Sequence, residues 1–409
     1  MRAAYHTSQI EPMLTALGAH LLAYSNLWRP LPFAQLHLPW QDQHPELAQW
    51  LNALPQAEVE SPHRPWLATA PPWLQNLASD CQQLGELGRL DSAPIPKLGV
   101  RAARRISGRK VKQIEGFCAV VLSVLRAQCG EAWRSGCEIV DWCAGKGHMG
   151  RWLVQQTGGR LLALEKDPHL VEVGQKACDQ LGLVARFVVV DVREPATAAL
   201  LTNQQFVVAL HACGDLHAAM LTAATQQRVE GLALAPCCYN SATSGPVLSA
   251  AGHRLALGLT RSDVDLVHRQ IWVAAGHDRA QAEQEQAWRL GFDALQRQST
   301  GHHDYRPMPP FPKTWLSLDF STFCHRFAQL DGLQLPSKAS LGEFEQTGWL
   351  RLRQVQRLEL LRGMFRAPLE TWLVLDRAQM LVESGYHVQV GTFCGRLDSP
   401  RNAMVVGWL

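Results

Sequence analysis

The chain has 409 residues, of which 47% are hydrophobic and 18% are charged, and its net charge is +3. This composition predicts a folded protein with a sizeable core and excludes wholesale disorder. The length allows two or three domains, or one domain with a large insertion. The net charge is too small to indicate nucleic-acid binding by itself, so a basic surface would have to be local.

Cysteine usage and hydropathy predict the compartment. The N-terminus has no basic region followed by an apolar run, so no signal peptide is predicted. No window approaches 18 uncharged apolar residues, so we expect no membrane span and no membrane partner. The eleven cysteines form no regular framework, and we expect them to be reduced in a cytoplasmic protein. The sequence gives no indication of the oligomeric state.

Residues 1–100 are predicted to form a helical N-terminal domain. Leucines at helical spacing, such as Leu14, Leu17 and Leu21, alternate with prolines that separate short amphipathic helices. Nothing in this segment points to a particular chemistry. Its role is therefore left open.

A basic strip follows this segment, with six cations and no acid before Glu115. Its members are Arg101, Arg104, Arg105, Arg109, Lys110 and Lys112. Charge runs are usually solvated connectors, but clustered Lys and Arg also bind phosphates by releasing counterions. The two interpretations are about equally well supported. Under the second, the substrate-binding residues are Arg104, Arg105, Arg109, Lys110 and Lys112.

A glycine loop after a predicted strand organises the rest of the chain. The strand runs from Glu138 to Asp141, and Gly145, Gly147 and Gly150 then fit the pattern G-x-G-x-x-G. Such a loop lets the backbone approach a nucleotide closely. The pattern alone is weak, because three glycines near a strand are often only a tight turn.

Two further predicted strands strengthen the case for a nucleotide site. Arg160–Glu165 and Ala185–Asp191 are apolar segments that each end in an acid, and the first acid is placed to bind a ribose. Asp141, just before the glycines, would repel a pyrophosphate but attract the ammonium and sulfonium of S-adenosylmethionine. We therefore favour S-adenosylmethionine over a dinucleotide. The predicted cofactor-binding residues are Asp141, Cys143, Ala144, Gly145, Gly147, Glu165, Asp191 and His211.

The predicted strands then continue at Phe206–Leu210 and Leu232–Ala235, with helices between them. Short apolar strands that alternate with helices indicate a parallel sheet covered on both faces. Two last strands, Tyr386–Phe393 and Ala403–Trp408, are joined by a short turn and should pair antiparallel. This predicts a Rossmann-like α/β domain with a seven-stranded, mostly parallel sheet.

The predicted Rossmann-like domain spans residues 101–409 and contains a large insertion after its fifth strand. The insertion covers about 241–350, far more chain than one crossover needs. It is either decoration that buries apolar surface or a lid over the strand ends, and we favour the lid. The helix expected from Leu350 to about Glu383 should break at Pro368.

Two loops at the ends of the fourth and fifth predicted strands carry candidate catalytic residues. These are His211, Asp215, Cys237, Cys238, Tyr239 and Asn240. In one interpretation His211 or Asp215 orients or deprotonates the nucleophile while Tyr239 and Asn240 position it. In a second, a cysteine of the pair Cys237–Cys238 attacks a pyrimidine ring. In a third the cysteines and histidines bind a metal, and in the remaining interpretation the cysteines are only structural.

Of these interpretations metal binding is disfavoured, and no metal ligands are assigned. The segment contains no C-x-x-C motif, and the adjacent Cys237 and Cys238 are poorly spaced to reach one ion.

Three motifs together resemble one family. They are Asp141-Trp-Cys-Ala-Gly-Lys-Gly-His-Met-Gly150, Leu210-His-Ala-Cys-Gly-Asp-Leu216 and Pro236-Cys-Cys-Tyr-Asn240. The resemblance is to the class I S-adenosylmethionine-dependent methyltransferase-domain family of the glutathione S-transferase C-terminal-domain-containing protein and its methyltransferase-like relatives. More distantly, the chain is similar to the tRNA acceptor-stem 2′-O-methyltransferases. The resemblance covers about residues 108–409.

The resemblance implies cofactor roles for Asp141, Gly145, Gly147, Glu165 and Asp191. It implies catalytic roles for the two loops only by position, since Asn240 stands where the tRNA enzymes carry His. Together with the basic strip, it predicts methyl transfer to RNA, at a ribose hydroxyl or a base nitrogen of tRNA or rRNA. The alternatives are a protein methyltransferase acting on a translation-related protein and a non-catalytic cofactor-binding scaffold.

Overall fold

The computed structural model describes residues 3–61, 63–94, 97, 106–129, 137–243, 245–268, 276–335 and 338–409. Arg101, Arg104 and Arg105 of the predicted basic strip lie outside the described residues. The chain divides into two compact units. The first, the sheet unit, comprises Met1–Ala23, Leu84–His268 and Ala367–Leu409, and the second, the helical unit, comprises Tyr24–Gln83 and Arg269–Arg366.

The sheet unit is built on one mixed sheet of eight strands. The strands are β1 (Tyr5–His6), β2 (Glu138–Trp142), β3 (Arg160–Glu165), β4 (Ala185–Val189), β5 (Gln205–Cys213), β6 (Gly231–Cys237), β7 (His387–Thr392) and β8 (Ala403–Trp408). Their order across the sheet is β1-β7-β8-β6-β5-β2-β3-β4. All the strands predicted from sequence are present.

Strands β2 to β6 are parallel, and β7 and β8 pair antiparallel, as predicted for the final hairpin. The sheet has eight strands rather than the predicted seven. The extra strand is β1, in which Tyr5 pairs with Val390 and His6 with Gln389. A strand of two residues is too short to show an alternation of hydrophobicity in the sequence.

The direction of the chain across the sheet reverses between β2 and β5. From β2 the chain proceeds outward to β3 and β4, and then returns to place β5 on the other side of β2. In open α/β sheets such a switch point opens a crevice at the carboxyl ends of the strands, where ligands bind. The glycine loop after β2 and the His211 loop at the end of β5 border this crevice.

Helices cover the sheet of this unit. Their bounds are Thr7–Ala23, Gly108–Cys129, His148–Thr157, Pro168–Asp179, Asp215–Gln226, Ala250–Arg254, Arg261–His268 and Arg366–Glu383. Strand β6 is buried along its whole length, and β2 and β3 are buried except at their ends. Strands buried on both faces are typical of parallel sheets with helices on each side.

The first hundred residues do not form the separate helical domain that we predicted. Residues 3–23 belong to the sheet unit, because β1 extends the sheet and the helix Thr7–Ala23 follows it directly. The segment after residue 84 belongs there too, since Thr392 of β7 donates to the carbonyl of Gly88 at 2.7 Å and Leu90 packs into the core under the sheet. Backbone pairing across 300 residues leaves no local signal in the sequence.

The helical unit combines the middle of the predicted N-terminal domain with most of the predicted lid. Its helices are Ser25–Trp28, Pro45–Ala53, Gln56–Val59, Pro72–Gly85, Gly276–Thr300, Phe320–Asp331 and Lys338–Met364. Buried arginines join the two chain segments: Arg362 donates to the carbonyl of Trp28 at 2.7 Å and Arg351 to that of Phe33 at 3.0 Å. That this unit acts as a lid stays a prediction.

The long helix near residue 365 breaks at a different place from the one predicted. It ends at Met364, and the next helix begins at Arg366, so the break lies at Phe365. Pro368 is in the first turn of the second helix. There its missing N–H removes no helical hydrogen bond, and the proline is tolerated.

We find no helix among the described residues that is long and apolar enough to cross a membrane.

Candidate active site

The glycine loop has the conformation that its sequence requires. Gly145 and Gly147 have φ angles of +57° and +66°, a region that side chains with a Cβ rarely adopt. A Cβ on Gly147 would lie 2.5 Å from Cζ of Phe187, so this glycine is also fixed by packing. A Cβ on Gly145 would meet no atom within 4 Å, so this glycine faces open space.

Asp141 is buried at the end of β2 and anchors the helix that follows the loop. Its Oδ2 accepts a hydrogen bond from the backbone N–H of Gly150 at 3.0 Å, and its exposed fraction is 2%. Burial raises the pKa of this carboxyl to about 7, although the Gly150 bond, Lys110 and Arg151 act in the opposite direction. Asp141 thus holds the loop against the helix, and half of it is neutral near pH 7.

Glu165, the last residue of β3, organises the same loop from the neighbouring strand. Its Oε2 accepts from the N–H of Gly145 at 2.8 Å, and its Oε1 accepts from Lys166 and Asp167 at 2.8 and 3.0 Å. The carboxylate is only partly buried. It therefore retains a solvent-facing side on which a ribose hydroxyl can donate.

Asp191 follows β4 and is held by two cations. Lys166 donates to its Oδ2 at 2.9 Å, and Arg193 binds it through Nε at 2.9 Å and through its terminal nitrogen at 2.6 Å. The bonds from Arg193 and Lys166 hold the pKa of Asp191 well below its usual range. The predicted acid is thus in place at the sheet edge, already paired with its own neighbours.

These residues fit S-adenosylmethionine. The open space over Gly145 leaves room for a ligand against the backbone, and Glu165 borders that space. Cys143 and Ala144, also predicted to bind the cofactor, connect β2 to this loop, and the N–H of Ala144 donates to Leu164 at 2.9 Å. The parallel strands place all these groups on one edge of the sheet.

His211 lies at an irregularity in β5 and has an unusual environment. The register of β5 against β6 shifts between Leu210 and Ala212, and His211 has a φ of +64°. Its Nε2 is 3.1 Å from Oε1 of Gln113, while its Nδ1 is buried without any hydrogen-bond partner. Burial first, then Lys110 and Arg401, lower the pKa of His211 to about 4.

Gln113 fixes the tautomer of His211 and was not singled out from the sequence. Its Nε2 donates to the carbonyl of Asp398 at 2.8 Å, which turns its Oε1 toward the imidazole. An amide oxygen accepts, so Nε2 of His211 must carry the proton and Nδ1 must carry the lone pair. Its partners Asp398 and His211 are 285 and 98 residues away along the chain, so no local pattern pointed to it.

Backbone strain is concentrated at this edge. Six described non-glycine residues have positive φ, and three of them lie at the ends of β2, β5 and β6. These are Cys143, His211 and Cys238 at +60°, +64° and +50°. Each such residue costs on the order of 1–3 kcal/mol, and strain of this kind is concentrated at functional sites.

The structure brings the candidates Cys237 and Cys238 together with Cys213, which lies in the same loop as His211. The sulfur atoms of Cys213 and Cys237 are 3.3 Å apart, and Cys238 joins them in one cluster. The hydrogen bond from the Cys237 thiol lowers the pKa of Cys213 to about 6. Bonding to Cys213 and burial raise the pKa of Cys237, so Cys213 is the more readily ionised thiol. Cys143 stays protonated, since burial raises its pKa to about 12.

Tyr239 is buried beneath a charged side chain. The guanidinium of Arg377 lies 5.0 Å from its ring centroid, and the Tyr239 hydroxyl has no hydrogen-bond partner. His217, also fully buried, accepts from Arg377 at 3.3 Å through Nε2. Tyr239 thus joins a buried polar layer, and its hydroxyl is not free in solvent.

Asp215 and Asn240 both position loops. Asp215 accepts from the N–H and the hydroxyl of Thr243 at 2.8 and 2.7 Å, which ties the loop after β6 to the start of the helix after β5. Asn240 donates to Asp265 at 2.7 Å. These hydrogen bonds give both side chains a structural role. Their catalytic roles stay predictions.

The described part of the basic strip lies at the start of the helix Gly108–Cys129. Arg109, Lys110 and Lys112 are all exposed there. Lys112 forms an ion pair with Asp398 at 3.0 Å. Lys110 lowers the pKa values of Asp141, His148 and His211, so its charge acts directly on the site.

Arg401 is a further site residue that sequence reasoning did not single out. It donates to the sulfur of Cys238 at 3.6 Å, and its other terminal nitrogen is 3.4 Å from Nδ1 of His268. It belongs to the turn between β7 and β8, more than 160 residues from Cys238 along the chain, so no local pattern pointed to it.

Comparison with known proteins supports the class of this domain. Residues 109–244, about a third of the chain, match the family model of a methyltransferase domain. No curated protein sequence matches. The matched segment contains the glycine loop, strands β2 to β6 and both candidate loops. The chain therefore carries an S-adenosylmethionine-dependent methyltransferase domain on a mixed sheet of eight strands.

Three solved structures show weaker similarity. A coclaurine N-methyltransferase bound to N-methylheliamine and SAH is 13% identical, with 47% of this chain and 62% of that chain covered and a TM-score of 0.25. A geranyl diphosphate methyltransferase in complex with GPP and sinefungin is 16% identical, with 48% and 65% covered and a TM-score of 0.22. A structure described for conversion of a disulfide bond into a thioacetal group during echinomycin biosynthesis is 19% identical, with 27% and 48% covered and a TM-score of 0.22.

The chain spans less than two thirds of the length of each of these structures. All three TM-scores lie below 0.5, so these structures carry no weight in assigning the class of the domain. That class follows from the family match and from the sheet topology.

Proposed function

We propose that the protein is a methyltransferase that transfers the methyl group of S-adenosylmethionine to RNA, at a ribose hydroxyl or a base nitrogen. The observation that carries the transfer step is the unpartnered Nδ1 of His211 at the carboxyl end of β5, next to the glycine loop in the sheet order. S-adenosylmethionine supplies an electrophilic methyl group on a sulfonium. The acceptor must lose a proton, and the lone pair on Nδ1, which the lowered pKa of His211 leaves unprotonated near pH 7, is available to accept it.

The chain of hydrogen bonds behind His211 supports this role. Asp398 orients Gln113, and Gln113 accepts from Nε2 of the imidazole. Nδ1 is thereby kept as an acceptor in a fixed direction, as a general base requires. The positive φ of His211 is part of the same arrangement, because the irregularity of β5 places the imidazole at the sheet edge.

The basic strip supports RNA as the acceptor. Arg109 and Lys110 are exposed on the first turn of the helix that also carries Gln113. Lys110 lowers the pKa values of three groups of the site, so a phosphate bound by it would interact electrostatically with the same groups. The resemblance to the tRNA acceptor-stem 2′-O-methyltransferases supports the same choice. Arg104 and Arg105 belong to the same strip by sequence and lie outside the described residues. A cytoplasmic location stays a prediction.

The test is transfer of tritiated methyl groups from S-adenosylmethionine into a cell extract that lacks the endogenous protein. After the reaction, equal samples are treated with ribonuclease or with protease, and the His211→Ala variant serves as the inactive control. We expect acid-precipitable label that ribonuclease removes and protease does not. Label removed only by protease would establish a protein substrate in its place. Absence of label, with cofactor binding intact, would establish a non-catalytic scaffold.

A further inference from the structure

Three thiols converge at the ends of β5 and β6. The sulfur atoms of Cys213, Cys237 and Cys238 all lie within 4.8 Å of one another. Cys213 is the last residue of β5 and Cys237 the last of β6, and the two are paired in the sheet register. Cys237 is buried, while Cys213 and Cys238 are partly accessible. An ion can therefore reach the cluster from the sheet edge.

The backbone at Cys238 explains how two adjacent cysteines point to one place. In an extended strand successive side chains point to opposite faces, which is why the sequence disfavoured a metal here. Cys238 instead has left-handed angles, φ 50° and ψ 46°, directly after β6 ends. This turn breaks the alternation and brings its sulfur to the side of Cys237. The strain of a non-glycine residue in this conformation is thus linked to the cluster itself.

The charges around the cluster favour a divalent, thiophilic cation. Thiolate ligands select soft or borderline metals such as zinc. Three thiolates and one divalent ion leave a single negative charge, which the guanidinium of Arg401, 3.6 Å from the Cys238 sulfur, balances. Hydrogen bonds of this kind to ligand atoms hold the ligands in place and tune the metal.

The number of ligands is that of a reactive zinc site. No fourth His, Cys, Asp or Glu joins the group among the residues that the structure describes. Structural zinc sites use four protein ligands, whereas catalytic sites use three and leave one position for water or substrate. With Zn–S bonds of about 2.3 Å, tetrahedral geometry separates the sulfur atoms by about 3.8 Å. The 3.3 Å pair would open by a few tenths of an ångström.

We propose that Cys213, Cys237 and Cys238 bind one Zn²⁺ ion, with its fourth position open at the sheet edge. Each thiol loses its proton on binding, so up to three protons are released for each ion bound. The proposal goes beyond the methyltransferase function and does not depend on the identity of the methyl acceptor.

The test uses the full-length chain, reduced and stripped of metal with a chelator. Zn²⁺ is titrated against a chromophoric chelator, and Co²⁺ is added separately to detect sulfur-to-cobalt charge-transfer absorption. We expect one ion per chain and a charge-transfer band. Cys213→Ser and Cys238→Ser should each weaken Zn²⁺ binding at least tenfold. Cys143→Ser, a cysteine of the same sheet edge outside the cluster, should leave the affinity unchanged.

A second variant separates metal binding from loss of fold. Arg401→Gln keeps all three thiols and should weaken Zn²⁺ binding by about 10–100-fold, the usual cost of losing a partner of a metal ligand. Circular dichroism should show the same secondary structure for all variants. Wild-type affinity no higher than that of a Cys213→Ser/Cys238→Ser double variant would overturn the proposal. Methyl transfer would be unaffected by that result, so the failure of this proposal is distinguishable from failure of the proposed function.

Discussion

The carboxyl edge of the sheet has two halves that are built in opposite ways. The half at the ends of β2, β3 and β4, which we propose binds the cofactor and call the cofactor half, consists of Asp141, Gly145, Gly147, Glu165 and Asp191. The half at the ends of β5 and β6, which we propose faces the methyl acceptor and call the acceptor half, consists of His211, Cys213, Cys237, Cys238 and Tyr239. In the cofactor half each acid already accepts hydrogen bonds from the chain itself. In the acceptor half, Nδ1 of His211 and the hydroxyl of Tyr239 are buried without partners.

This difference indicates a division of labour. A cofactor that is the same in every turnover favours a preformed loop whose conformation is fixed by internal bonds. Buried polar atoms without partners cost free energy, about 1–3 kcal/mol each, and persist where a ligand or water is needed to satisfy them. We therefore expect substrate to satisfy Nδ1 of His211 in the acceptor half, and the predictions below test each half separately.

The largest effect is expected from His211→Ala in the acceptor half. Loss of a general base lowers kcat by about 10²–10⁴-fold. S-adenosylmethionine affinity should change little, because the cofactor loop keeps its own bonds. Single-turnover methyl transfer and calorimetric cofactor binding measure the two quantities. The exposed His253 provides the matched control, and His253→Ala should retain full activity. An equal loss of activity in His253→Ala would contradict a specific role of His211 in methyl transfer.

In the cofactor half, Gly147→Ala should destabilise the fold. The added Cβ would lie 2.5 Å from Phe187, and overpacking of this kind costs about 1–3 kcal/mol. The left-handed backbone adds about 1–2 kcal/mol. Urea unfolding of the two variants Gly147→Ala and Gly145→Ala compares them directly, since the second meets no atom and bears only the backbone cost. Equal losses would contradict the packing role of Gly147.

The pKa of Asp141, raised to about 7 by burial, predicts a pH dependence of cofactor binding. Below pH 7 the carboxyl is mainly neutral and no longer attracts the cationic cofactor, so affinity should fall as the pH is lowered from 7.5 to 6. The affinity can fall by at most tenfold per pH unit, or about 1.4 kcal/mol. Calorimetry over this range stays below the pH of about 7.7–8.0 at which the α-amino group of the cofactor itself would lose its proton. The Asp141→Asn variant should bind weakly at every pH.

The same carboxyl affects stability with a defined sign. The pKa is higher in the folded chain than in the unfolded chain, so folding takes up a proton between the two values. The contribution of Asp141 to stability is therefore greatest at acidic pH and is lost as the pH rises through about 7. Unfolding of Asp141→Asn by urea should lack this component.

The smallest effect is expected at the basic strip. Removing one phosphate contact by Lys110→Gln should reduce the slope of log affinity against log salt by about 1. Lys112→Gln should change it less, because the charge of Lys112 is already paired with Asp398. Filter binding of the two variants to tRNA over a range of salt concentrations measures this. Identical slopes for both variants and the wild type would show that the strip does not bind phosphates and is only a solvated connector.

The positions of the residues in the cofactor half were largely predictable from sequence, while their roles stay predictions. A strand, a glycine loop and acids at successive strand ends are local patterns, and the edges of parallel strands bring such residues together without further information. Strands β3 and β8 have the bounds that the sequence indicated. The contacts that the acids make with the chain itself, such as those of Asp141 with Gly150 and of Asp191 with Arg193, required the structure, since they decide which lone pairs remain available.

The acceptor half was less predictable because its geometry depends on local departures from regular structure. The irregularity at His211 and the left-handed turn at Cys238 follow no hydrophobic period. Gln113 and Arg401 reach the site from elements nearly 290 residues apart, and no local pattern links them. The predicted domain boundary near residue 100 was wrong for the same reason. β1 joins the sheet by pairing with β7 at the other end of the chain, and no local pattern shows this.

The most direct test of the cofactor half, and of the methyltransferase domain as a whole, is calorimetric titration of S-adenosylmethionine into Gly145→Asn and Gly182→Asn. Both glycines have similar positive φ, +57° and +63°, and at both an added Cβ meets no atom within 4 Å. Asn tolerates this backbone conformation, so both variants should fold. We predict that the wild type and Gly182→Asn bind one equivalent equally well, while Gly145→Asn binds at least tenfold more weakly. Equal binding by the two variants would contradict the placement of the cofactor over the glycine loop.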